Sequence, residues 1–261
     1  MPSLPFATLD QLLLFLLVLG RVGGIFAATP MFGGKLVSVR VKGAMVFAIT
    51  IVLFPVVSGT LSVTLPNDLL SFGLLMVTES LIGITLGILS QMIFAAVEFC
   101  GHLVATQMGL SIALQFDPTI GMQVSALSVF QNLLAMLLFL SLDAHHIFFR
   151  AMMESYARIP LGGFHVSSEL LTFFITTVSG IFVVGIKLAA PVAVSLLAAT
   201  TVLGIMARAF PQMNVFLVSM PLNIGLGFMI LGMSLIVFMK TIEKSFSAIP
   251  ASIQTLFRLL G

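Results

Sequence analysis

The sequence predicts an all-α integral membrane-type protein, built of long kinked helical hairpins with one internal re-entrant loop. Composition, run length and the placement of charge each point there. Of 261 residues, 59% are hydrophobic and 8% charged, and the mean hydropathy is +1.22. Soluble domains carry roughly 25% charged residues. Several apolar runs approach or exceed the ~20 residues that a bilayer span needs. Arg21, Glu79, Glu98 and Lys187 nevertheless sit in or beside these runs. Each costs at least ~2.5 kcal/mol at a bilayer centre unless it is paired or faces a wet interior. A chain that keeps such groups either moves something or packs against partners that satisfy them.

Candidate helices cover residues 12–28, 43–61, 69–99, 126–141, 170–207 and 215–239. Asp10 is the only charged side chain before Arg21. The basic n-region of a cleavable signal peptide is therefore missing, and 12–28 reads as an uncleaved first helix. Two of the runs are too long for one upright span. The 170–207 run holds Pro191, which removes a backbone hydrogen bond and predicts a kink. The 69–99 run carries Gly73, Gly83 and Gly87, small residues that let another helix approach closely. Breaks are expected at 29–42, 64–68, 115–123, 143–168 and 210–214. Residues 101–116 are apolar but short, with Gly101, Gln107 and Gly109 inside. Irregular backbone at membrane depth is tolerated only inside protein or beside water, so this stretch reads as a buried re-entrant segment. In the tail, Ile242, Phe246, Ile249, Ile253, Phe257 and Leu260 recur every three or four residues. That spacing suits an amphipathic helix broken or restarted at Pro250.

Two features argue against simple spanning. The chain has 24 Phe, no Trp and a single Tyr, Tyr156, whereas membrane proteins anchor at both interfaces with Trp and Tyr belts. Much of the apolar surface is thus expected to meet protein. The basic clusters Lys35, Arg40, Lys42 and Lys240, Lys244, Arg258 both suggest the cytoplasm. The apolar runs between them are odd in number and place the two clusters on opposite sides.

Enzyme chemistry has little support. His145 and His146 are adjacent, about 100° apart on a helix, and His102 and His165 are remote in sequence. No HExxH or CxxC spacing suggests a metal, and no metal or other cofactor is expected. No GxSxG elbow or P-loop occurs. Cys100 is alone, which excludes an internal disulfide. The net charge of +2, scattered along the chain, does not make a nucleic-acid surface. Glu79, Glu98, Asp117 and Lys187 could form a proton relay as in secondary transporters, or could pair with each other, with Arg21 or Arg208, or with partner subunits. The stretch from Gln107 to Pro118 stands apart. Asp117-Pro118 favours an extended or turn conformation at Asp117. Such a loop could close a channel by dewetting through Leu110, Ile112, Leu114 and Phe116, or could be a buried connector.

These residues also carry a resemblance. The chain resembles the FliR family of flagellar export-gate proteins, called SctT in injectisomes, nearly end to end. Arg21-Val22-Gly23 followed by Pro30-Met31-Phe32-Gly33 is similar to the family's N-terminal pattern, and Gln107–Pro118 to its central Gln-Met-Gly to Asp-Pro motif. Asp143-Ala144-His145-His146, then Pro160-Leu161-Gly162 and Ala190-Pro191, resemble later family segments. The string from Arg208 through Pro211, Gln212 and Asn214 to Phe216 is the most specific match. Asp143-Ala144 stands where many members have Gly-Gly, and Ser38 where a proline is common.

The resemblance implies a non-enzymatic pore and plug subunit of the flagellar type III export gate. Unfolded protein substrates would pass across the bacterial inner membrane, in the flagellar basal body, with much of the gate toward the periplasmic side. It implies FliP-like and FliQ-like partners, FlhB-like and FlhA-like export components, and contact with membrane lipid. Residues 1–168 would be the FliP-like part and 169–261 a FliQ-like hairpin with an amphipathic tail. The plug would lie at 107–123, formed by Gln107, Met108, Gly109, Leu110, Ile112, Leu114, Phe116, Asp117 and Pro118. Arg21, Pro30, Pro191, Arg208, Pro211, Gln212 and Asn214 would be structural or hold subunit contacts. A solitary proton- or ion-coupled secondary transporter, the equivalent injectisome subunit and, more distantly, an intramembrane enzyme are the alternatives.

Overall fold

The computed structural model describes residues 8–30, 38–59, 66, 68–110, 125–164, 167–212 and 214–260. Among these the regular structure is helical, with no strand. In chain order the helices are α1 (Leu9–Ala28), α2 (Val39–Ser58), α3 (Leu69–Gln107), α4 (Ala126–Ser141), α5 (Ala144–Arg158), α6 (Ser168–Ala209), α7 (Val215–Ser247) and α8 (Ile249–Leu260). Among the described residues, five helical stretches, α1, α2, α3, α6 and Leu217–Leu260, are long and apolar enough to cross a membrane. The broken pair α4 and α5 makes a sixth if counted as one span. This is an all-α membrane protein.

Short polar side chains set the helix starts. Thr8 caps α1 by accepting from the Gln11 N–H at 3.3 Å, Asp68 accepts from Ser71 before α3, and Ser125 accepts from Leu127 before α4. Ser167 and Asn214 accept from Leu170 and Leu217 at the starts of α6 and α7. Each satisfies an otherwise orphaned backbone donor. Inside the helices, hydroxyls fold back onto preceding carbonyls, as Thr50 does to Val46 and Ser80 to Met76. That removes their need for water in apolar surroundings.

Each apolar run expected from the sequence is a helix, and the differences lie at the ends. Helix α3 continues through Gly101 to Gln107, so 101–107 is its last two turns rather than the start of a re-entrant segment. The remainder of 101–116 beyond Leu110 lies outside the described residues. The break expected at 143–168 holds the whole of α5, whose mixed polar and apolar sequence has no membrane-like hydropathy. Helix α2 starts at Val39, inside the expected break 29–42. Helix α6 runs through Pro191 without interruption. In the tail, Ala248 separates α7 from α8, and Pro250 sits in the first turn of α8, where its missing N–H costs nothing. All six tail residues expected on the apolar face are buried.

The chain divides into two compact units. The first takes residues 1–92, 143–177 and 246–261. Here α1 and α3 cross at their glycines. A Cβ at Gly24 would fall on the Ser80 carbonyl oxygen, one at Gly83 on the Arg21 carbonyl oxygen, and one at Gly87 would lie 2.6 Å from Ala28 Cβ. Gly24 thus faces Gly83, with Gly20 set against Met76 and Ser80 and Gly87 against Ile25 and Ala28, so two small-xxx-small ridges pack along the crossing. Phe15 of α1 meets Phe47 and Phe54 of α2 edge-on, each at 5.6 Å. Helix α8 packs on α5.

The second unit takes residues 93–142 and 178–245. Gly101 lets α4 approach at Ser128, and Gly185 takes the edge of Phe99. Phe94 and Phe139 meet edge-on at 5.8 Å, as do Phe99 and Phe182 at 5.3 Å.

Candidate functional site

In the first unit the sequence's two most anomalous charges meet. Arg21, on α1, and Glu79, on α3, are fully buried and form an ion pair, Nε to Oε2, at 2.6 Å. The glycine crossing places them there. Gly24 and Gly83 bring the two backbones close enough for side chains one turn away to join. The rest of the guanidinium is also satisfied. Nη1 donates to Ser155 Oγ and to the Ile159 carbonyl, and Nη2 donates to the same carbonyl, all at 3.3 Å. The Tyr156 ring lies under the cation at 4.4 Å, and its hydroxyl donates to the Val18 carbonyl.

Glu79 Oε1 accepts from the Gly162 N–H at 3.1 Å. That donor is presented by a turn in which the Gly163 N–H donates to the Pro160 carbonyl and Gly162 has φ +75°. A positive φ at the third turn position calls for glycine. One buried node therefore ties α1, α3, α5 and the 160–163 turn together. Arg21 and Glu79 stood out in the sequence, and of the pairings open there this is Glu79 with Arg21. Ser155, Tyr156, Ile159 and Gly162 were not picked as partners. Tyr156 is the lone Tyr of a Phe-rich chain, and Pro160-Leu161-Gly162-Gly163 is a recognisable turn; both were usable signals.

The central motif begins where α3 ends. The Leu110 N–H donates to the Ala105 carbonyl and the Gly109 N–H to the Thr106 carbonyl, both at 3.0 Å, with Gly109 at φ +80°. This is a Schellman ending with glycine in the left-handed position. Gln107 is exposed and Met108 fully buried, its side chain lying against Gly227 of α7. Ile112, Leu114, Phe116, Asp117 and Pro118 lie outside the described residues.

The other sequence-selected residues are dispersed. Pro30 and Pro191 are half-buried, and the Pro191 carbonyl accepts from Ser195 Oγ at 2.8 Å. Arg208, Pro211, Gln212 and Asn214 gather around the α6–α7 turn and are exposed, so among the described residues Arg208 is in no buried pair. Lys187 is exposed near the middle of α6. Glu98 is half-exposed and lies 3.9 Å from His102. Asp143 takes φ +51° and starts α5. The His145 and His146 ring centroids lie 4.1 Å apart with the rings tilted by 37°, and with Asp143 they offer ligand atoms within 4.8 Å of one another.

The family model of bacterial export proteins, family 1, matches residues 12–249. The chain is 30% identical over 250 residues to a protein of Bacillus subtilis (strain 168), covering 95% of each. It is 31% identical over 229 residues to one of Pectobacterium carotovorum subsp. carotovorum, covering 88% of this chain and 87% of the relative. It is also 30% identical over 246 residues to one of Escherichia coli (strain K12), covering 92% and 91%. Each of these relatives is named flagellar biosynthetic protein FliR.

Proposed function

The chain belongs to the bacterial export proteins of family 1, and from that membership we propose that it is a pore-forming and plug subunit of the flagellar type III export gate. In this reading it is a membrane component of flagellar biosynthesis that passes unfolded substrates across the bacterial inner membrane and catalyses no reaction. It assembles with FliP-like and FliQ-like subunits, and FlhB-like and FlhA-like components join the gate. Much of the assembled gate stands toward the periplasmic side. Residues 1–168 act as the FliP-like part and 169–261 as the FliQ-like part.

The observation that carries this reading is the near full-length match to family members, over residues 12–249 for the family model and 95% of both chains for the Bacillus subtilis relative. The buried pairing of Glu79 supports it over a solitary proton carrier. Both carboxylate oxygens are taken by fixed donors, Arg21 and the Gly162 N–H. A relay carboxylate must exchange its proton freely.

The plug assignment makes a direct prediction. Leu110, Ile112, Leu114 and Phe116 form an apolar seal that dewets the resting pore, hinged at Gly109 and Pro118. The double variant Leu114→Gly/Phe116→Gly should raise ion leak through the resting gate in intact cells. Unchanged conductance would sink the plug assignment.

The turn between α6 and α7 is assigned to subunit contact. Arg208, Gln212 and Asn214 are exposed in the single chain, and an arginine offers a planar fork for a carboxylate on a neighbour. Arg208→Ala should reduce recovery of partner subunits from detergent extracts while the chain itself still reaches the membrane. A variant that assembles normally yet exports nothing contradicts this role.

A further inference from the structure

Three ligand-bearing side chains gather where α5 begins, and the function proposed above uses none of them. Asp143, His145 and His146 bring a carboxylate oxygen and two imidazole nitrogens within 4.8 Å of one another. Asp143 holds the N-cap position of α5, where an aspartate ordinarily accepts from a backbone N–H of the first turn. Here its carboxylate makes no such bond. Its Oδ1 lies instead 3.6 Å from His146 Nδ1, too far for a hydrogen bond. Among the described residues no Lys or Arg nitrogen comes within 4 Å of that carboxylate. His145 is half-buried, and its Nδ1 is closed to solvent with no hydrogen-bond partner among the described residues.

A buried nitrogen left without a partner calls for an explanation. A neutral imidazole offers a lone pair and a carboxylate offers several, so one cation can satisfy all three side chains. At about 2.1 Å per bond, two ligands of a tetrahedral ion stand about 3.4 Å apart. Asp143 and His146 are close to that separation already. Their side chains are 74% and 69% exposed, which leaves them room to rotate and close the remaining gaps. The positive end of α5 repels a bare cation, and the Asp143 carboxylate offsets that repulsion.

We propose that Asp143, His145 and His146 form a site for one divalent transition ion of the Zn²⁺ class, with water completing its shell. Two imidazoles and one carboxylate suit such borderline ions, whereas Mg²⁺ and Ca²⁺ seek shells of oxygen alone. No familiar ligand spacing marks the site in the sequence, because all three ligands fall within four consecutive residues. The ion ties the first turn of α5 to the residue that starts it, and so takes the place of the missing cap. The site is structural, and the inference is independent of the export reading.

The full chain, carrying an affinity tag free of histidine, is purified in mild detergent, stripped of metal and titrated with Zn²⁺ by calorimetry. One ion per chain is expected, and Zn²⁺ but not Mg²⁺ should raise the thermal midpoint, since a ligand bound only by the folded state stabilises it. His146→Ala and Asp143→Asn should each weaken Zn²⁺ binding by at least the roughly tenfold that loss of an outer-shell contact already costs. Both positions are exposed, and asparagine tolerates the left-handed backbone that Asp143 adopts, so the metal-free midpoint of Asp143→Asn should match the wild type. Absence of stoichiometric Zn²⁺ uptake by the wild-type chain overturns the proposal. So does equal binding of Mg²⁺, or Zn²⁺ affinity that survives unchanged in both variants.

Discussion

Arg21→Met should prevent the chain from accumulating as a folded membrane protein. The substitution removes the guanidinium and strands the Glu79 carboxylate in a site with no water access, since both side chains are fully buried. Breaking one partner of a buried pair costs about 3–5 kcal/mol, and the whole stability of a domain is only about 5–15 kcal/mol. It also orphans the Ile159 carbonyl, which accepts from both terminal nitrogens of Arg21. The double variant Arg21→Met/Glu79→Met should recover part of the loss, because no uncompensated charge remains. Recovery should stay incomplete, as the Ile159 carbonyl and the Gly162 N–H each lose a buried partner. Membrane level and thermal midpoint in detergent read both effects. A single variant as stable as wild type, or a double variant no better than the worse single, refutes this account of the node.

What the sequence disclosed about this site follows from its physics. A charge in an apolar run is anomalous wherever it falls, so Arg21 and Glu79 could be singled out without a structure. Their mutual pairing depends on how α1 crosses α3, and 58 residues separate the two side chains. Nothing local in the chain encodes that distance. The partners from α5 were hidden for a different reason. Helix α5 is half polar and was read as part of a break, so the side chains it delivers, Ser155 and Tyr156, had no element to sit on. The spans themselves were legible because apolar run length is a strong signal in a lipid protein. Their ends were not, because Gly101 in the last turns of α3 looks like a breaker. In the structure it is the small residue that admits Ser128 of α4. The Asp143 departure from the Gly-Gly pattern also has a physical reading. Asp143 has φ +51°, a conformation that glycine takes freely and aspartate tolerates.

Gly83→Ala should be nearly as damaging as Arg21→Met, although it adds a single methyl group. The new Cβ would fall on the Arg21 carbonyl oxygen and lie 2.9 Å from the Ile25 amide nitrogen. Both obstacles are backbone, so no side chain can swing aside, and α1 and α3 must separate. Separation pulls Arg21 from Glu79, whose 2.6 Å contact depends on the same crossing. Overpacking of a tight core costs about 1–3 kcal/mol, and loss of the ion pair adds to it. Gly24→Ala meets the reciprocal obstacle at the Ser80 carbonyl oxygen and should behave alike. Gly73→Ala, on the same helix α3, is the control. Its Cβ would meet nothing within 4 Å, so it should be neutral or stabilise the helix by up to about 1 kcal/mol. The sequence marked Gly73, Gly83 and Gly87 equally as points of close approach, and only Gly83 and Gly87 lie at the crossing with α1. Protease resistance of the three variants in membranes separates a crossing that depends on bare backbone from a general intolerance of α3 to substitution. If Gly73→Ala and Gly83→Ala lose resistance equally, the crossing is not what holds the first unit together.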